Sequence, residues 1–189
     1  MKSRIVHILQ EIVIVAIGIL IAVSIGNYRE NKANEKYLEK TLLAIENEIE
    51  LSQIELDTVL NRHLKLYELL ENEIGDIDQT LGDLVSSSGG FQVASIKNVS
   101  LRFFISNKAE LLDFQLISQL LEIELSTDML SEKITRLADF VYNNVNEKND
   151  DVKLKFYYLL ADVIDGEQTL LESYSSLLND NKSYLKKYK

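Results

Sequence analysis

The chain has 189 residues, a formal charge of −10, and neither cysteine nor proline. The acidic balance argues against nucleic-acid partners, which need basic surface to displace counterions from phosphates. The missing thiols exclude disulfides, thiolate metal sites and a catalytic cysteine. With only seven glycines and no proline to interrupt it, the backbone is predicted all-α, in a length that suits one folding unit with an appendage.

The first predicted element lies in residues 1–28. Residues 11–26 read EIVIVAIGILIAVSIG, and the apolar stretch from Ile5 to Ile25 is long enough to cross roughly 30 Å of hydrocarbon at about 1.5 Å per residue. A buried strand would be shorter, about 4–8 residues. A cleaved signal peptide is the rival, since Lys2 and Arg4 form a charged start and Ala22-Val23-Ser24 offers small residues for cleavage. Glu11, at the head of the apolar run, favours a retained transmembrane anchor. Tyr28 and Arg29 suit the membrane–water interface. Arg29, Lys32, Lys36 and Lys40 on the far flank blur the charge asymmetry, and the short basic start favours an N-inside, single-pass orientation.

Gly18, Ala22 and Gly26 repeat at i, i+4, the spacing that lets two helices approach closely in lipid. At 100° per residue Glu11 falls in the same sector. These four residues form the expected transmembrane helix-packing face, with Glu11 either paired there or reaching headgroup water.

The stretch QEIVIVAIGILIAVSIGNYRENK, followed by YLEKTLLAIENEIE, resembles an uncharacterised family of small bacterial membrane proteins. In that family a Glu-Ile pair opens the apolar helix, which closes on an Asn-aromatic pair. The residues that carry the likeness are Glu11, Ile12, Gly18, Ile19, Leu20, Ile21, Ala22, Asn27 and Tyr28. Tyr28 stands where the family usually has tryptophan. The resemblance implies a membrane-anchored helical protein; with the N-inside orientation favoured by the short basic start, the expected location is the bacterial inner membrane with the bulk of the chain in the periplasm. The resemblance implies no activity.

Residues 29–85 predict a long amphipathic, coiled-coil-like helix continuing from the anchor. Steps of four and three give Leu38, Leu42, Ile45, Ile49, Ser52, Leu56, Val59, His63, Leu66, Leu70, Glu73, Ile77, Thr80 and Leu84, of which ten of fourteen are apolar. Leu43, Leu60, Leu64, Tyr67, Ile74 and Leu81 widen the stripe toward further neighbours. SSSGG opens a loop over 86–94, with FQVAS strand-like, and residues 95–189 supply the rest of an antiparallel bundle of about four helices. Asn107 with Glu110 reads as a capping box for a helix to about Leu125. Ser126 or Thr127 is expected to cap the next helix, which ends in NNVNEKND, and Asn149 or Asp150 the last. Gly166 marks a kink or a close contact in that last helix.

Catalytic or metal-ligating sets are not expected. His7 and His63 are the only histidines, and His63 falls on the seam among leucines, as a core histidine would. DIDQTLGDLVSS departs from a calcium loop at its sixth and twelfth positions, Leu81 and Ser87. The acidic clusters read as solvated helix faces. No cofactor is expected.

The C-terminal KSYLKKYK places Lys182, Lys186, Lys187 and Lys189 after an acidic body, as helix-end cations or a membrane-surface contact. The expected function is a non-catalytic scaffold or accessory subunit at the membrane. It self-associates as a homo-oligomer or joins another membrane protein subunit. The alternative is an extracytoplasmic sensor or ligand-binding bundle.

Overall fold

A computed structural model of the protein describes residues 2–73 and 79–180. In order, the elements are α1 (Lys2–Glu73), α2 (Leu81–Ser87), α3 (Val99–Lys108), a 3-10 turn (Ala109–Leu111), α4 (Phe114–Asn144) and α5 (Asp150–Asp180). No strand occurs among the described residues. The chain forms two compact units, Met1–Thr41 and Leu42–Lys189.

Heptad spacing builds the second unit. On α1 the seam residues Leu42, Ile45, Ile49, Ser52, Leu56, Val59, His63, Leu66 and Leu70 are all buried. α4 buries Leu116, Leu120, Ile123, Thr127, Leu130, Ile134 and Leu137, again in steps of four and three. α5 does the same with Lys153, Phe156, Leu160, Val163, Glu167, Leu170, Tyr174 and Leu177. Each fully buried Leu or Phe contributes about 1.5–3 kcal/mol of burial free energy, so these three stripes carry most of the packing energy.

Cross-helix contacts fix the directions. Gln53 meets Ser175 and His63 meets Glu167, so α5 runs antiparallel to α1. Gln119 meets Asp180 and Lys133 meets Asp162, so α4 runs antiparallel to α5. α1 and α4 are therefore parallel, and the chain between them must travel back along the bundle. That return leg is made of α2, the extended residues 91–98, and α3. It takes the place of a fourth long helix.

Gly166 is a close contact. A Cβ there would lie 3.2 Å from Leu130 Cδ1 and 3.3 Å from Lys133 Cδ, so glycine lets α4 and α5 draw together. Gly82 is tighter, since a Cβ would fall 2.7 Å from Val145 Cγ2 and 2.8 Å from Val145 O. Backbone bonds from Leu81 N to Glu147 O and from Gly82 N to Val145 O hold the start of α2 against the α4–α5 turn.

Several boundaries differ from the sequence-based expectation. The long helix does not continue to residue 85, because Thr80 caps α2 in a capping box with Asp83. The seam position Ile77 and the stripe-widening Ile74 lie outside the described residues. Asn107 is inside α3 and donates to Phe103 O, while Asp113 caps α4 by accepting from Leu116 N. Thr127 starts no helix: its hydroxyl donates to Ile123 O in the interior of α4, so a single helix replaces the expected pair. Asn149 does open α5, its side chain accepting from Asp151 N. Gly89 and Gly90 have φ of 93° and 85°, a region glycine enters without steric cost. FQVAS is extended but pairs with no strand.

The Thr80 box yields a pH prediction. The Thr80 hydroxyl, then its backbone N–H, hold the Asp83 carboxyl below the usual carboxylate range. A depressed folded-state pKa gives a stabilising contribution that is present above the unfolded value of about 3.9 and is lost as pH falls through the folded value. The Asp83 carboxyl carbon, followed by NMR, should titrate below pH ~3.9, with α2 fraying over that same acid range. Titration at or above the free value would mean that the box does not form.

Candidate functional site

Within residues 12–25 the apolar side chains of α1 face outward on every side. Ile12, Ile14, Ile17, Leu20, Ile21, Val23 and Ile25 are each at least half exposed, with Ile14 at 68%. Apolar side chains right around a helix are the pattern of a helix long and apolar enough to cross a membrane. The one polar side chain within residues 12–25 is satisfied internally, Ser24 donating to Leu20 O at 2.8 Å. Among the described residues, α1 is the one helix long and apolar enough to cross a membrane.

Glu11, Ala22, Tyr28 and Arg29 are exposed, and a Cβ added at Gly18 or Gly26 would meet nothing within 4 Å. The small-residue face is thus open. The tail lysines Lys182, Lys186, Lys187 and Lys189 lie outside the described residues.

The second unit holds two buried polar layers at seam positions. In one, Tyr174 of α5 bonds through its hydroxyl to Thr127 of α4 and Ser52 of α1, one residue from each long helix. Burial pushes the Tyr174 phenol up, and these two hydrogen bonds partly offset it. In the other, His63 Nδ1 lies 3.0 Å from both carboxylate oxygens of Glu167, with the Glu167 side chain fully buried. His63 Nε2 donates to Gln92 O at 3.0 Å, and Phe91 stacks on the ring at 5.2 Å. Polar groups at single seam positions penalise any slipped register, because a slip would leave them buried and unpaired.

A histidine oriented by a carboxylate is half of a nucleophilic triad. Here the outer nitrogen is occupied by a backbone carbonyl and one ring face by Phe91, so both nitrogens of the ring serve packing contacts in this structure. No group of three or more His, Cys, Asp or Glu residues among the described residues could hold a metal ion.

Nearer the α5 N-terminus, Tyr67 and Tyr157 stack at 4.2 Å. Their shared hydrogen bond is the first cause pushing the Tyr157 phenol up to about 12. Among the described residues the acidic groups do not converge. Glu48 caps α3, its carboxylate accepting from Ser100 N at 2.9 Å and from Ser100 Oγ at 3.0 Å, and Glu124 faces Arg102.

Sequence reasoning placed His63 on the seam but missed its partners. The signal for Glu167 was present: Val163 and Leu170 bracket it in steps of four and three, so it occupies a core position. Gln92 acts through its backbone, which no side-chain pattern reveals.

Residues 11–83 match the model of a family of unknown function (DUF6090). The match begins at Glu11, covers the apolar segment and the α1 seam, and ends in α2. It spans less than half of the chain and leaves α4 and α5 outside. No curated protein and no solved structure matches the chain.

Proposed function

We propose that the protein is a single-pass membrane protein whose helical bundle acts as a non-catalytic scaffold or accessory subunit, assembling through the Glu11, Gly18, Ala22 and Gly26 face of its anchor. The observation that carries this reading is the uncovered apolar surface of residues 12–25. Exposed to water, it would be an aggregation surface; in lipid it is matched to its surroundings. The bundle adds a preformed, register-locked body, which suits positioning more than chemistry. The resemblance to small bacterial membrane proteins supports the inner membrane as the location, with the bundle in the periplasm.

Association in lipid relies on close backbone approach, because burial of apolar surface drives nothing between helices already in hydrocarbon. Gly18→Leu or Ala22→Leu should therefore convert an oligomer, or a complex with a partner subunit, to monomer in mild detergent without changing helicity. Light scattering checks this. A wild-type chain that is already a clean monomer, with no co-purifying partner, would refute the assembly half of the proposal.

A further inference from the structure

We propose that residues 91–98 form a latch strap that opens from the bundle as one unit, swinging on Gly89–Gly90 and bolted at His63. This does not depend on the membrane reading. The strap runs antiparallel to α1 in matched register. Gln92 O is tied to His63, and Lys97 N donates to Ser52 Oγ at 2.8 Å. Eleven residues of helix and five of extended chain both span about 16 Å, so the two ends engage together.

What holds the strap is polar. It contributes one buried side chain, Ala94, while Val93 is exposed and Phe91 and Ile96 are only half-buried. α3, immediately after it, buries Leu101 and Phe104. A segment with so little apolar burial, and with no sheet ladder for its backbone, belongs at the low end of local stability. Its hinge is defined by the two positive-φ glycines. Its bolt is the pair in which Glu167, from α5, orients the His63 ring that grips Gln92. An exposed link between Arg62 and the Gln92 side chain lies beside that bolt. The α5 helix is thus coupled to a strap it need not touch, through one imidazole.

The test is residue-resolved hydrogen exchange on the full chain in detergent, with the Lys97 amide as reporter and Leu137 and Phe156 as core references. In the unaltered protein Lys97 should exchange about 100-fold faster than the references and with little dependence on denaturant, as local opening requires. Glu167→Gln weakens the buried bond at the opposite end, and should speed Lys97 exchange about tenfold, with Lys97 still far faster than Leu137 and Phe156 and still nearly independent of denaturant. Should that variant loosen the whole bundle, the paired exposed change Arg62→Ala with Gln92→Ala serves, with about a threefold effect at Lys97. Exchange of Lys97 at the pace and denaturant slope of Leu137 and Phe156, or no response at Lys97 to loosening the far end, would overturn the latch.

Discussion

Replacing Glu167 with alanine should lower the unfolding free energy of the full chain by about 3–5 kcal/mol, the usual cost of removing one partner from a buried pair. The loss has three parts. His63 Nδ1 is left facing a cavity, the Gln92 carbonyl loses an oriented donor, and the packed interior cannot close over the missing carboxylate. Against a total stability of about 5–15 kcal/mol, this is among the largest effects open to a polar substitution in the bundle. The double change His63→Leu with Glu167→Leu should cost less than Glu167→Ala alone, because it removes both polar groups and refills the volume. The exposed Lys32–Glu35 pair, with both side chains more than 60% exposed, is the control: Glu35→Ala should change stability by about 0.5 kcal/mol or less. Denaturant unfolding in mild detergent measures all three. A loss below about 1 kcal/mol for Glu167→Ala would mean the pair is not desolvated as the structure has it.

The second large effect is expected in the apolar segment of α1, if it is the membrane anchor proposed. Ile17→Lys with Leu20→Lys places two cations near the middle of the apolar segment, each costing about 2.5–3.5 kcal/mol in a membrane-inserted helix. The doubly substituted chain should pass from the membrane pellet to the alkaline-soluble fraction, with the secondary structure of α4 and α5 intact. Retention of both the pellet location and detergent dependence would mean that these side chains do not face lipid.

The seam was the most legible part of the fold. Its positions from Leu42 to Leu70 on α1 are all buried, because a heptad stripe has one physical use in water, to face another helix. Caps were less legible, since Ser, Thr and Asn serve two ends. At a helix start they accept from backbone N–H groups, and within a helix they donate back to the preceding turn, as Asn107 and Thr127 do. The strap was illegible for a different reason. Its backbone is held by side chains of α1, and an extended segment bonded to a helix leaves no period of its own. Glu48 reads as a surface position until its partner Ser100, far away in the chain, comes into view.

The chain has no cysteine, so a single introduced thiol reports its own surroundings. The most direct test of the account compares Leu20→Cys, in the anchor, with Tyr142→Cys, at a position 84% exposed on the bundle, using a water-soluble maleimide on membranes holding the full chain. The account predicts that position 142 labels readily and position 20 only after denaturation in strong detergent. Equal labelling of both in intact membranes would contradict it.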